Sequence, residues 1–467
     1  MFRRAVALCG LFALIAACST PRVEQQSGAA KPVVLFEGAR LIAGDGSAPI
    51  DDSAFLVERG TITRIGRKGG LTFPPGAKRV DLSGKTVMPT LINAHGHPGF
   101  QRGLTYSAQN FTRENIIDDL NRALYFGVAV VMSQGIEKGE LTYQIRADQA
   151  DGKTGGARLL IAGRGIGAPN AGPGGAAYAG IAYEVTTEAE IRRAVQELAA
   201  KKVNAVKIWV DDRLGRAPRL SPALFRAAID EGHKQGLQVT AHVYYHSDAV
   251  ALVDAGIDGL AHLVRDKEMD DALVAAIVKR NVYVMPNLGG AERSTYTAPP
   301  PWMDEPTLLG LLQDTVSPAV IQRMRGSFAA RDAAVVERAR PIFANMQRSL
   351  AKLNAAGARL ILGSDTGLED HFFGYAEQRE LEQMAAAGMT PAQVIVAATS
   401  RSAEFLRLSD TGTLAPGKSA DFLVLDANPL DDIRNTRRIA KIYLKGAEVD
   451  RAALRAGLSD GGSPTSK

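Results

Sequence analysis

Residues 87–100 read VMPTLINAHGHPGF, an apolar run that closes on two histidines one residue apart. In an extended chain an i, i+2 pair shares one face, so His95 and His97 stand side by side at the end of a predicted strand. A single strand-end histidine is usually a hydrogen-bonded structural residue. A pair is a candidate half of a metal site, provided that other parts of the chain supply partners.

Downstream the pattern becomes strand followed by helix. Candidate strands run over 87–94, 128–133, 157–162, 203–210, 237–242, 258–263, 282–286 and 359–364. Helical segments such as EAEIRRAVQELAAKK and SPALFRAAIDEGHKQG separate most of them, the second stopping at Gly236. Eight apolar strands alternating with helices predict an α/β fold of the (β/α)8, TIM-like barrel type. The connection after the seventh strand includes GGAERSTYTAPPPWMDEP and exceeds ordinary loop length. It is expected to form a lid or a substrate-facing insertion.

Both ends of the chain carry short alternating strands instead: VVLFEGARLIAG, SAFLVERGTITRIGR and KRVDLSGKTVMP early, GTLAPGKSADFLVLDANPLDDI and IAKIYLKGAEV late. These predict one small β-sandwich built from residues 33–88 and 412–450, around a barrel of residues 89–411. Residues 451–467 are expected to be a flexible tail.

The first 18 residues, MFRRAVALCGLFALIAAC, place two arginines before an apolar run too short to span a bilayer. The run ends in LIAAC, which resembles a bacterial lipobox with Cys18 as the lipidated residue; cleavage after Ala17 as a plain signal peptide is the alternative reading. Residues 19–32 then read as a flexible tether. The expected location is outside the cytoplasm, periplasmic or cell-surface, with the membrane reached only through that lipid. The only two cysteines, Cys9 and Cys18, lie in the leader, so a metal would have to be held by nitrogen and oxygen. Net charge is +5 over 467 residues, with no run of five or six like charges, a mild surplus that does not make a nucleic-acid-binding patch.

In a barrel, reactive groups gather at the C-terminal ends of the strands. Lys207, in NAVKIWVDD, sits near the end of the fourth predicted strand. His242 ends the fifth, His262 the sixth, and Asp365, in GSDTG, the eighth. Four of the seven histidines therefore fall at strand ends; His233 lies in a helix, and His246 and His371 lie just beyond strands five and eight. Each residue alone has a structural explanation, since strand lysines are mostly solvated and GSDTG fits an Asx turn. Six such residues at one barrel mouth point to a metal centre.

The stretches INAHGH, AVKIW, VTAHV, GIDGLAHL, LGSDTG, MTPAQVIVAAT and GTLAPGKSADFLVLD together make the sequence resemble the metal-dependent amidohydrolase superfamily. It is especially similar to the imidazolonepropionase-like branch, which includes prolidase-like and Xaa-Arg/Xaa-Lys dipeptidases. The resemblance runs from about Val33 to Val449. Thr90 departs from it, standing where Gly or Ala is usual. The resemblance implies two divalent metal ions, one held by His95, His97 and Asp365 and one by His242 and His262, with Lys207 bridging them as its carbamate. Zinc suits such ligands, and manganese or cobalt also fit.

It further implies an enzyme that hydrolyses the amide bond of dipeptides or N-acyl amino acids. A metal-bridging water would attack the carbonyl, and Asp365 would take its proton and pass it to the leaving amine. Deamination fits less well, because His242-Val243-Tyr244-Tyr245 lacks the His-x-x-Glu of mononuclear relatives. On the substrate side, Tyr244 is a candidate oxyanion donor. His246, Arg164 and Asn170 are candidate holders of a substrate carboxylate, each with a structural role as the alternative. Cyclic amides, lactones or esters are the alternative substrates, and an inactive ligand-binding lipoprotein is the non-enzymatic reading. A complete ligand set speaks against the last. Oligomeric state stays open, a homo-oligomer included.

Overall fold

The computed structural model describes residues 33–173, 178–368 and 370–458. Cys18, the leader and the tether lie outside them. Eight strands form the centre: β1 (Leu91–Gly96), β2 (Val128–Ser133), β3 (Arg158–Ile161), β4 (Ala205–Val210), β5 (Gln238–Val243), β6 (Gly259–Ala261), β7 (Tyr283–Met285) and β8 (Arg359–Leu360). β1, β2 and β3 pair in parallel, as do β4 through β8. Ile166, in an extension of β3, pairs with Ile208 of β4. The ring closes where Ala94 N donates to Leu362 O (2.8 Å) and a parallel bridge joins Gly96 to Thr366. This is the predicted (β/α)8 barrel.

The pleat sorts the strand residues. Val206, Ile208 and Val210 share an apolar cluster with helix residues such as Ile191, Val195, Leu224 and Phe225. Ala205 and Lys207 therefore fall on the opposite face, away from the helices. On β5 the same sorting sends Val239, Ala241 and Val243 to the helices and Thr240 and His242 inward. The helices are cut to length by their own sequences. Thr187 and Glu190 form a capping box on Glu188–Ala200, and Ser221 caps Pro222–Lys234 by accepting from Leu224 N. Gly236, at φ +71°, ends the latter as expected.

Two sheets built from both chain ends make the sandwich. One has four strands, in the order Thr61–Arg67, Ser53–Glu58, Val34–Glu37 and Lys78–Asp81. The other has five, in the order Arg40–Leu41, Thr86–Pro89, Phe422–Leu425, Ile439–Leu444 and Ala447–Glu448. Its core joins a stacked Phe36–Phe55 pair (5.0 Å between centroids) to a stacked Phe422–Tyr443 pair (4.6 Å), with Phe36 edge-on to Phe422.

Two expectations change, and the seventh connection gains detail. The strand predicted over 87–94 is two strands: Thr86–Pro89 pairs antiparallel with Phe422–Leu425 in the sandwich, and Leu91–Gly96 is β1. The break falls at Thr90, whose N–H donates to Asp421 O (3.2 Å), because one strand cannot ladder with both sheets at once. The long seventh connection is an insertion of helices. It forms the helices Leu288–Arg293, Pro306–Thr315, Pro318–Ala329 and Ala333–Ala355, and its apolar residues pack with Tyr125, Phe126, Phe372 and Tyr375. Finally, the expected flexible tail begins as the helix Arg451–Gly457. Asp450 caps it, and the Arg451 guanidinium lies over the Tyr125 ring (4.3 Å to centroid). No helix among the described residues is long and apolar enough to cross a membrane.

Phe36 touches three rings of the sandwich core, so Phe36→Ala is expected to lower the unfolding free energy by about 3–5 kcal/mol. Urea denaturation of the variant beside wild type checks this.

Candidate metal centre

The end of β1 sets out the first two side chains. His95 Nε2 and His97 Nε2 are 3.2 Å apart, and Asp365 Oδ1 lies 2.9 Å from His97 Nε2 and 3.3 Å from His95 Nε2. Asp365 reaches them because the chain after β8 bonds to β1, Asp365 N donating to His95 O (2.9 Å) and His97 N to Thr366 O (2.7 Å). At the end of β6, His262 takes a left-handed backbone (φ +91°), anchored by its N–H to Met285 O. Its ring stands 4.6 Å from that of His242 and 5.1 Å from that of His95. One ligand atom each from His95, His262 and Asp365 lie within 4.8 Å of one another. Lys207 points inward from β4, 1% exposed. Gly135, just past β2, makes room for it: a Cβ there would come within 2.8 Å of Lys207 Cγ.

Burial sets the charges. It holds His95 and His262 well below the usual imidazole range and brings His242 down to about 4. The rings are therefore neutral and carry free lone pairs. Burial also pushes the Lys207 amine down to about 7, so a large share of it is uncharged near neutrality. Asp365 is held well below the carboxylate range: burial opposes this, but the rings of His95, His97 and His262 outweigh it. Neutral imidazoles, one carboxylate and an uncharged amine form the kind of donor set a divalent cation takes. His97 Nδ1 is buried without a hydrogen-bond partner among the described residues.

Five further residues shape the centre, and sequence reading missed them. Asp211, just past β4, lies 3.0 Å from His242 Nε2; it is held down to about 2 because the His242 bond outweighs burial. With Nε2–H spent on that carboxylate, His242 presents Nδ1. Asp211 was legible in principle, four residues after Lys207. Arg265 Nη2 sits 3.1 Å from His262 Nδ1 and its guanidinium lies 5.8 Å from the Tyr244 ring centre. Asn287 contacts His95 from the end of β7. Below the site, Asn93 Nδ2 donates to Ser364 Oγ, Thr366 Oγ1 and Glu377 Oε1 (2.6 Å), while its Oδ1 accepts from His95 N. Burial pushes the Glu377 carboxyl up to about 7. Asn287 and Glu377 carried no sequence signal, because each acts across the fold, whereas Arg265 and Asn93 stand three and two residues from His262 and His95.

The substrate-side candidates divide. Tyr244 lies beside Arg265 at the edge of the histidine cluster. His246 opens the helix His246–Asp254, buried, with Nε2 3.2 Å from Asp270 Oδ2. Arg164 is spent on scaffolding: it donates to the carbonyls of Ile181 and Ala182 and stacks over Tyr183. Asn170 is exposed in a left-handed turn, its backbone N–H on Glu184. The structure does not bring Arg164 or Asn170 to the histidines.

The amidohydrolase family model matches residues 86–449. This chain belongs to the amidohydrolase family. A protein assigned as a prolidase from Bifidobacterium longum shares 26% identity and a TM-score of 0.71, the match covering 92% of this chain and 99% of that one. Molinate hydrolase shares the fold at 20% identity and a TM-score of 0.71, over 91% and 96% of the two chains. An uncharacterised protein of Mycobacterium bovis is 33% identical over 135 residues, 28% of this chain and 34% of its own length. That alignment thus spans only about a third of the relative.

Removing the Asn93 amide takes one donor from the buried Glu377, which keeps Thr366 Oγ1 and Gly374 N, and one from Thr366. Asn93→Ala should therefore cost about 2–4 kcal/mol of stability, measured by urea unfolding of the variant against wild type.

Proposed function

We propose that this amidohydrolase cleaves a carbon–nitrogen bond in a dipeptide or an N-acyl amino acid, with two divalent ions held at the barrel mouth. The observation that carries the reading is the convergence of His95, His97 and Asp365 on one point, with His262, His242 and an inward Lys207 beside it. His95, His97 and Asp365 would hold one ion, and His242 and His262 the other, with zinc first among the candidates. Such ions lower the pKa of water and polarise a scissile carbonyl.

The remaining roles fall to the chain. An uncharged Lys207 can add its nitrogen to carbon dioxide, forming a carbon–nitrogen bond and releasing a proton to solvent. The product is a carboxylate that can bridge two cations. Asp365, kept ionised by its neighbours, can accept a proton from attacking water and return it to the departing amine. Tyr244 offers a phenolic donor to the carbonyl oxygen. The cationic Arg265 next to it suits a substrate that carries a carboxylate, as dipeptides and acylated amino acids do. The prolidase assignment of the Bifidobacterium longum protein supports the same class. The leader reading adds export and a lipid anchor at Cys18, which would direct the enzyme to peptides outside the cytoplasm.

Zinc-supplemented protein should turn over members of a panel of dipeptides and acylated amino acids. Turnover confined to cyclic amides, lactones or esters in the same panel would move the substrate class, and none at all would overturn the enzymatic reading. Lys207→Ala is expected to lose bound metal and activity together, with part of both restored by formate or acetate; full activity in that variant would sink the bridging role.

A further inference from the structure

β7 ends at Met285, and the chain makes a left-handed step at Asn287 (φ +53°) before the helix Leu288–Arg293. Asparagine is one of the few side chains that visit this backbone routinely. The step is clamped from beyond: the Glu380 carboxylate accepts from Leu288 N (2.9 Å) and Gly289 N (2.7 Å). Asn287 itself is 2% exposed, and its amide nitrogen lies 3.3 Å from His95 Nδ1. The other amide atom, Oδ1, is buried with no partner among the described residues. The hydrogen-bonding capacity of this side chain is therefore directed at one ring.

A neutral imidazole carries a single proton on one of its two nitrogens. His95 Nε2 is the atom that converges with His97 and Asp365. For Nε2 to offer a lone pair, the proton has to sit on Nδ1, and Nδ1–H then needs an acceptor. The oxygen and nitrogen of an amide are nearly the same size, and a half-turn exchanges them without displacing a neighbour.

We propose that Asn287 is the positioning residue of His95, its Oδ1 accepting from Nδ1–H and so turning the Nε2 lone pair toward the metal. The inference rests on the reading of His95 as a ligand. It parallels Asp211 on His242, with one difference: Asn287 is neutral, so it sets the tautomer without adding charge to the centre.

Two substitutions test it. Asn287→Gly removes the amide and keeps the left-handed backbone, while Asn287→Asp keeps an acceptor at the same place. Zinc affinity, measured by competition with a chromogenic chelator, should fall roughly 10–100-fold in the glycine variant and stay near wild type in the aspartate variant. The thermal midpoint of the metal-free proteins separates this effect from misfolding. In zinc-loaded wild type, nitrogen-15 NMR should show His95 protonated at Nδ1. Undiminished zinc affinity in a folded glycine variant, or a His95 proton on Nε2, overturns the role of Asn287. Should the glycine variant not fold, the NMR assignment decides alone. Wild type that binds no zinc overturns the metal-centre reading instead, and the two failures are distinguishable.

Discussion

The closure of the segment after β8 onto β1 is the interaction on which the centre depends. Three backbone hydrogen bonds, from Ala94 to Leu362, Asp365 to His95 and His97 to Thr366, fix the register of the last barrel segment against the first. A slip of one residue would carry Asp365 out of reach of the histidines. The buried Asn93 enforces the alignment, since its amide reads both strands: Oδ1 takes the His95 N–H, and Nδ2 reaches Ser364, Thr366 and Glu377. A neutral amide suits this place. It satisfies several neighbours in a dry interior without the cost of a buried charge.

Around that seam the side chains are deeply buried and the turns that carry them are firmly held. His262, Asn287 and Asp365 follow β6, β7 and β8, and all three have left-handed backbones although none is glycine. Each such residue costs of order 1–3 kcal/mol and persists only where the surroundings hold it. Here the holding is visible: His262 N on Met285 O, Glu380 on the turn after Asn287, and Asp365 N on His95 O. The same burial that is unfavourable for charged groups keeps the imidazoles neutral and brings the Lys207 amine to about 7. A solvated site with the same residues would present protonated rings in mild acid and an ammonium in place of an uncharged amine.

The helical insertion after β7 shows how far local patterning carries. Its length and its proline-rich stretch mark it as more than a loop. Its helices and its packing against Tyr125, Phe372 and Tyr375 come from contacts between distant segments, which a window of sequence does not contain. Thr90 is a similar case. The apolar run 87–94 reads as one strand because nothing local tells it that Thr86–Pro89 pairs with Phe422–Leu425, more than three hundred residues on.

Sequence alone determined the alternation of strands and helices, the sandwich made from both ends, and the placement of His95, His97, Lys207, His242, His262 and Asp365 at strand ends. These follow from hydrophobic period and residue type, which are properties of short segments. Tertiary structure alone decided what surrounds them. It brought Asp211 to His242, Asn287 to His95 and Asn93 to Glu377, and it left Arg164 and Asn170 to scaffolding and solvent. The physical reason is range: a ligand at a strand end is specified by its own strand, whereas the group that orients it comes from a neighbouring strand or the loop beyond, and only the closed barrel sets that neighbour.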